Sequence, residues 1–249
     1  MESPYILDGK NILVTGASSG IGKAIAVACS NMGATLFITA RNEDRLNETF
    51  SLLQGSDNRM IIADIEKGSD RLKLIEELPQ LDGIVHNAGI GNRVLCKNIT
   101  ESDLNEVFDI NVKAPVLLQT LLLQKKRVNK NASIVFIASR AASFPSAGNA
   151  IYSASKGAVI SYAKCLGLEL APRKMRVNCI CPAMVKTAFA DKSGIGEDIL
   201  NELKDKYPLK RVGEPKDVAN LAVYLLSDAS EWMTGSCIDI TGGGEGTLL

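Results

Sequence analysis

A short apolar run, Asn11-Ile12-Leu13-Val14-Thr15, leads directly into Gly16-Ala17-Ser18-Ser19-Gly20-Ile21-Gly22, after which residues 23–32 follow a helical pattern. Nothing else in the chain constrains its fold as tightly. A buried strand that passes through glycines into a helix start makes an anion site, because glycine lets the backbone approach a pyrophosphate and the free N–H groups of the first turn favour negative charge. The spacing is Gly-x3-Gly-x-Gly rather than the commoner Gly-x-Gly-x2-Gly. A tight turn with no ligand would look the same in isolation, so the remaining strands have to supply the context.

They do so by alternation. Strand-like stretches at residues 34–39, 59–63, 82–86, 133–138, 175–181 and 236–240 are separated by helical patterns at 43–53, 70–77, 100–126, 152–171 and 215–226. Strands and helices alternating at this spacing predict one α/β domain, a doubly wound parallel sheet of about seven strands with right-handed crossovers and helices on both faces. Ligands of such sheets sit at the carboxyl ends of the strands. Gly16, Arg41, Asp64, Asn87 and Ser139 all fall at such ends. The segment 188–206, with two glycines and little periodicity at its start, is expected to form a lid over the site.

The residue that follows the second strand bears on the dinucleotide. An acid there would bond the ribose hydroxyls of NAD, whereas an arginine accommodates the 2′-phosphate of NADP. This chain has Thr39-Ala40-Arg41-Asn42. NADP is favoured over NAD, the lesser alternative being that Arg41 is simply a solvated charge opening the next helix.

Tyr152 and Lys156 stand four residues apart and share a face of the predicted 152–171 helix. An ammonium about 4 Å from a phenol favours the phenolate by roughly 4 kcal/mol at an effective dielectric near 20. At about 1.4 kcal/mol per pKa unit, that lowers a tyrosine from about 10 towards neutrality, less what desolvation takes back. A tyrosine so tuned exchanges protons with an alcohol or carbonyl. Asn111 lies in the 100–126 helix, where asparagine is a poor interior residue, with Pro115 just beyond it as a potential kink.

Composition removes several alternatives. The 249 residues carry 28 basic and 28 acidic side chains, so no field favours nucleic acid or an anionic membrane. The longest apolar runs, such as residues 116–123, fall well short of a span. The N-terminus has no basic segment followed by an apolar block, and a cytoplasmic protein is expected. Six cysteines show neither metal-like nor disulfide-like spacing, so no metal site is expected. His86 is the single histidine and sits at the polar end of a strand. A hydrolase triad would rest on it alone.

Together, Thr15-Gly16-x3-Gly20-x-Gly22, Asp64, Asn87-Ala88-Gly89, Asn111, Ser139, Tyr152-x3-Lys156 and Pro182–Thr187 resemble the short-chain dehydrogenase/reductase family over residues 10–244. The resemblance implies that Tyr152 is the acid–base, that Lys156 tunes it and bonds the nicotinamide ribose, that Ser139 bonds the substrate oxygen and that Asn111 holds a relay water. It assigns cofactor contacts to Gly16, Ser18, Ser19, Gly20, Ile21, Arg41, Asp64, Ile65, Asn87, Ala88, Gly89, Pro182, Val185 and Thr187, beside Tyr152 and Lys156. Two departures stand out. Ala183 replaces the usual glycine after Pro182, and Ser19 replaces the basic residue that NADP enzymes often carry in the glycine turn.

Within the family the chain is most similar to 3-oxoacyl-acyl-carrier-protein reductases. That implies an NADP(H)-dependent oxidoreductase of a carbonyl and a secondary alcohol, acting on a thioester or another small molecule. The resemblance makes Lys125, Lys126, Arg127, Arg173 and Lys174 candidates for docking an acidic acyl carrier protein, although basic residues at helix C-termini also complement the dipole. A reductase for a free alcohol, steroid, sugar or small metabolite remains the alternative. A dinucleotide-binding protein without turnover fits less well, because the acid–base residues are all present. A homo-oligomer, commonly a tetramer in the family, is expected through the two long helices.

Overall fold

A computed structural model describes residues 3–187 and 197–244. Seven parallel strands form one sheet in the order β3-β2-β1-β4-β5-β6-β7. They are β1 (Asn11–Thr15), β2 (Thr35–Ala40), β3 (Arg59–Ile62), β4 (Leu81–His86), β5 (Val128–Ile137), β6 (Arg176–Pro182) and β7 (Cys237–Ile240). The helices are α1 (Gly20–Asn31), α2 (Glu43–Phe50), α3 (Gly68–Glu77), α4 (Glu101–Phe108), α5 (Ala114–Gln124), α6 (Ala150–Leu170), α7 (Glu197–Lys206) and α8 (Pro215–Leu226). The predicted doubly wound sheet is what the chain forms. Its winding reverses between β1 and β4, and that is where such sheets leave a crevice for a ligand.

Alternation along each strand divides the core in two. Leu13, Ile84, Ile134 and Val177 face one layer, packed with Leu74 of α3, Leu118 of α5 and Val159 of α6. Val14, Val85, Val135 and Ile180 face the other, with Ile25 of α1, Leu46 of α2 and Val218 of α8. Because both faces are covered, the strands are near-continuous apolar runs, as all-parallel sheets require.

Three elements differ from the sequence expectation. β5 begins five residues early, because Val128 pairs with Leu81 across a register irregularity and Asn131 takes a positive φ of 66°. The predicted helix 100–126 is broken into α4, a π-helical turn at Asp109–Lys113 and α5. Pro115 explains the break: it has no N–H to give to the carbonyl of Asn111 four residues back. Of the predicted lid, residues 188–196 lie outside the described residues, and Glu197–Lys206 is a helix.

The turn after β1 leaves little room. Gly16 has φ of 64°, and a Cβ there would lie 2.8 Å from Ala88 Cα. A Cβ at Gly22 would collide with the Gly16 carbonyl and the Asn87 amide. Gly157, inside α6, has nothing within 4 Å of such a Cβ. Gly22→Ala is therefore expected to destabilise the protein by about 1–3 kcal/mol, as overpacking does. Gly157→Ala is expected to stabilise it by roughly 0.5–1 kcal/mol through helix propensity. Thermal or denaturant unfolding of the two variants checks the contrast, and equal effects would contradict it.

Candidate active site

The first turn of α1 is left open. Asn42 and Thr100 cap α2 and α4 with their side chains, and Asp217 in the first turn of α8 accepts from the Glu214 amide, but Ser19 makes no side-chain cap to α1 and no acid stands in its first turn. The N–H groups at Gly20, Ile21 and Gly22 thus keep their dipole for an anion. Thr187 leans over this turn, its Cγ2 3.2 Å from where a Gly20 Cβ would stand. A cradle shaped by glycine, with unspent amides at a helix start, fits the pyrophosphate of a dinucleotide. Ser18 and Ile21 are half-buried at its edges, and Ser19 is exposed.

Asn87 builds the floor of the crevice. Its Nδ2 donates to the carbonyls of Thr15 (3.0 Å) and Gly16 (3.1 Å). Thr15 Oγ1 in turn accepts from the amides of Asn87 (3.1 Å) and Ala88 (3.2 Å). The carboxyl ends of β1 and β4 are thereby tied side by side. Gly89 follows, close to two further groups: a Cβ there would lie 3.0 Å from Asn111 Oδ1 and 3.4 Å from Lys156 Nζ.

Asn111 is 2% exposed and fully engaged. Its Oδ1 accepts from Ile90 N (2.8 Å), and its Nδ2 donates to Ile90 O (2.9 Å) and Ser155 Oγ (3.0 Å). Ser155 Oγ donates to the Tyr152 carbonyl at 2.7 Å, so the π-turn is bound to the start of α6. π-turns recur at functional sites. Ser139 closes β5, and its Oγ accepts from Ala141 N at 3.1 Å. Lys156 Nζ donates to the Ile137 carbonyl at 2.8 Å and lies 5.7 Å from the centre of the Tyr152 ring. Ser139, Tyr152, Lys156 and Asn111 therefore converge on one rim.

Electrostatics here departs from the sequence expectation. Burial pushes the Tyr152 phenol above its ordinary value of 10.0, and the hydrogen bond from Ser139 offsets only part of that. Part of the ring remains accessible, so the effect belongs to the surroundings of the hydroxyl. Lys156 was expected to pull the phenol towards neutrality. Its ammonium is spent on a backbone carbonyl instead, and burial pushes its own pKa down to about 8. In this state desolvation outweighs the charge pair, and Tyr152 is a protonated donor at neutral pH.

The loop after β6 is held from behind. Met184 N donates to the Tyr207 hydroxyl (3.2 Å), Lys186 N to Gly213 O (2.8 Å) and Gly213 N to Met184 O (2.9 Å). Pro182 and Val185 are buried and Thr187 is half-buried. Ala183 is absent from the positive-φ residues, so its side chain is accommodated without the glycine. At the other end of the crevice Asp64 is half-buried and Ile65 is 7% exposed. Arg41 stands exposed at the end of β2, ion-paired to Glu66 at 3.2 Å.

Sequence reasoning missed Thr15, Ser155, Tyr207 and Glu66 as positioning groups. Thr15 left a signal, a hydroxyl closing an otherwise apolar strand. His86 plays no part in the site. It is stacked on Phe136 at 4.6 Å, bonded to Gln119 at 2.9 Å, and pushed down to about 4 by burial. The proposed carrier-docking residues do not join the site either. Lys125, Lys126 and Arg127 precede β5, and Arg173 and Lys174 precede β6, which places them at the amino edge of the sheet. From Tyr152 the length of α6 alone separates Arg173 and Lys174 by roughly 30 Å.

Comparison with known proteins identifies the family. A family model described as enoyl-(acyl carrier protein) reductase matches residues 16–245. The 3-oxoacyl-[acyl-carrier-protein] reductase FabG of Rickettsia felis is 35% identical over 238 residues, covering 95% of this chain and 97% of its own. L-xylulose reductase of Caenorhabditis elegans is 35% identical over 250 residues, with 98% of each chain covered. A proposed NAD(P)-dependent gluconate 5-dehydrogenase from Beutenbergia cavernae, with NADP bound at low occupancy, superposes with a TM-score of 0.86 at 29% identity, over 97% of this chain and 98% of that one. A 3-ketoacyl-(acyl-carrier-protein) reductase from Brucella melitensis in complex with NADH gives 0.85 at 28% identity, over 96% and 99%. The chain belongs to the short-chain dehydrogenase/reductase family and is an oxidoreductase of that family.

The buried ammonium makes a stability prediction. A lysine depressed to about 8 when folded is penalised fully below that pH, and the penalty fades as pH rises towards the unfolded value of 10.5. Lys156→Met is expected to raise stability at pH 7 by about 1–3 kcal/mol, the Ile137 carbonyl losing its donor in exchange. The gain should shrink as pH rises from 8 to 10. Denaturant titrations of both proteins across that range test it, and a gain independent of pH would contradict it.

Proposed function

We propose that the chain is an NADP(H)-dependent reductase that interconverts a carbonyl and a secondary alcohol. The supporting observation is the meeting of Ser139, Tyr152, Lys156 and Asn111 at the rim beside the uncapped turn of α1. When bound, the dinucleotide supplies the hydride. Gly16, Ser18, Ser19, Gly20 and Ile21 hold its pyrophosphate. Arg41 receives the 2′-phosphate, with Asp64, Ile65, Asn87, Ala88 and Gly89 around the adenosine half. Pro182, Val185 and Thr187 hold the nicotinamide half.

Tyr152 gives its proton to the carbonyl oxygen as the alcohol forms. Its raised pKa suits an acid that must be protonated at neutral pH. Ser139 hydrogen-bonds the reacting oxygen and supports the phenolate that is left behind. Lys156 passes the replacement proton towards Tyr152, and Asn111, whose Oδ1 keeps a second lone pair, holds a water on that path. The same steps run backwards in oxidation.

Two substrate classes follow from the relatives, a 3-oxoacyl thioester and a small polyol or keto-sugar. The thioester is the first to test, because the Rickettsia felis relative combines 35% identity with near-complete coverage. A carrier protein would engage Lys125, Lys126, Arg127, Arg173 and Lys174 at the amino edge of the sheet. The described residues include six free cysteines, which suits a reducing compartment such as the cytoplasm. Among the described residues no helix is long and apolar enough to cross a membrane. Self-association, as a homotetramer, is part of this reading on the family resemblance, and Leu168 on α6, 77% exposed, and the fully exposed Trp232 are apolar side chains it would cover.

Tyr152→Phe is expected to lower kcat for reduction about 10²–10⁴-fold. NADPH affinity should change little, because the ring and its neighbours remain. NADPH consumption with a short 3-oxoacyl thioester, beside L-xylulose, measures the rate and separates the substrate classes. Full activity in the variant would overturn the assignment of the acid. Turnover of the sugar alone would exclude the thioester.

A further inference from the structure

At the adenosine end of the crevice the structure brings together two residues 25 positions apart. Ala40 pairs with Ile62 at the ends of β2 and β3, so Arg41 and the turn after β3 share one rim. There Arg41 Nη1 donates to Glu66 Oε1 at 3.2 Å. The arginine side chain is 58% exposed and the glutamate 30%. Glu66 also sits among acids. Its amide donates to Asp64 Oδ1 at 3.2 Å, and Asp109 and Glu106 add further negative charge. Asp64 is offset in part by Lys67 at 3.9 Å, which leaves Arg41 as the cation facing Glu66.

We propose that Glu66 is the residue that sets the balance between NADPH and NADH, by holding Arg41 and opposing the 2′-phosphate. The inference rests on the cofactor reading above. A phosphate that carries nearly two negative charges has to take the guanidinium from a carboxylate and then remain beside it. NADH has no such conflict, since its ribose 2′-hydroxyl is a donor and a carboxylate within reach accepts it. A chain with arginine at the end of β2 and no acid there looks committed to NADP. Glu66 supplies the missing acid from the neighbouring strand and moderates that commitment.

The test is binding, not turnover. Dissociation constants for NADPH and NADH are measured by nucleotide fluorescence on the purified full chain, for wild type, Glu66→Gln, Glu66→Ala and Arg41→Ala. Either Glu66 variant is expected to bind NADPH about tenfold more tightly, equivalent to roughly 1.4 kcal/mol. NADH affinity should stay the same or weaken, and the NADPH gain should diminish at high salt, as for a partly exposed charge. Arg41→Ala should lose NADPH affinity selectively. If Arg41→Ala behaves so but both Glu66 variants keep the wild-type ratio of the two affinities, the role of Glu66 is overturned and the cofactor reading stands. If Arg41→Ala leaves NADPH binding intact, the NADP assignment at Arg41 falls, and the inference with it. If the wild type binds neither nucleotide, both are overturned.

Discussion

The tie between the carboxyl ends of β1 and β4 is the constraint on which the site depends. Asn87 spends its amide on the carbonyls of Thr15 and Gly16, and Thr15 answers by accepting from two amides of the β4 end. These polar groups would otherwise be orphaned where the two strands diverge, a loss of about 1–3 kcal/mol for each buried group left unpaired. The tie fixes where the glycine turn points. Gly89, held just beyond it, fixes how closely Asn111 and Lys156 approach the floor. The polar groups of the crevice are arranged before any ligand arrives.

The same economy governs charge. Lys156 is 5% exposed, yet its ammonium meets a carbonyl rather than a carboxylate. Burial therefore depresses the lysine and raises the tyrosine, each towards its neutral form. A pair placed four residues apart on one face invites a simple Coulomb argument, and here desolvation overrides it. Distance in sequence fixed the shared face but carried no information about the solvent removed from around the two heads. At neutral pH the result is a protonated phenol beside a hydroxyl, which is the form that carbonyl reduction uses first.

Much of the fold was legible in advance, because short apolar strand runs, turn glycines and helix starts are local signals. Gly16, Asn87 and Ser139 could be placed on a common rim from strand ends alone. The break at Asn111 was half visible: Pro115 announced a defect, and only the coordinates showed it resolved as a π-turn that ties Ile90 to Ser155. What sequence could not supply was pairing between strands. Glu66 belongs to the turn after β3, and nothing near Arg41 in the chain points to it. Tyr207 is likewise distant from the loop it supports. The parallel order of β5 and β6 sets the basic residues after α5 and α6 at the edge of the sheet away from the strand ends that carry the site.

The central claim is that Tyr152 is held as a protonated acid by burial, with Ser139 rather than Lys156 as its nearest electrostatic support. The most direct measurement is an ultraviolet titration of phenol ionisation in the free protein, taken as the difference between wild type and Tyr152→Phe. The account predicts one phenol that ionises above the ordinary value of 10.0. A phenol that ionises near neutrality in the free protein would contradict it, and would restore the Lys156 ammonium as the dominant influence on the site.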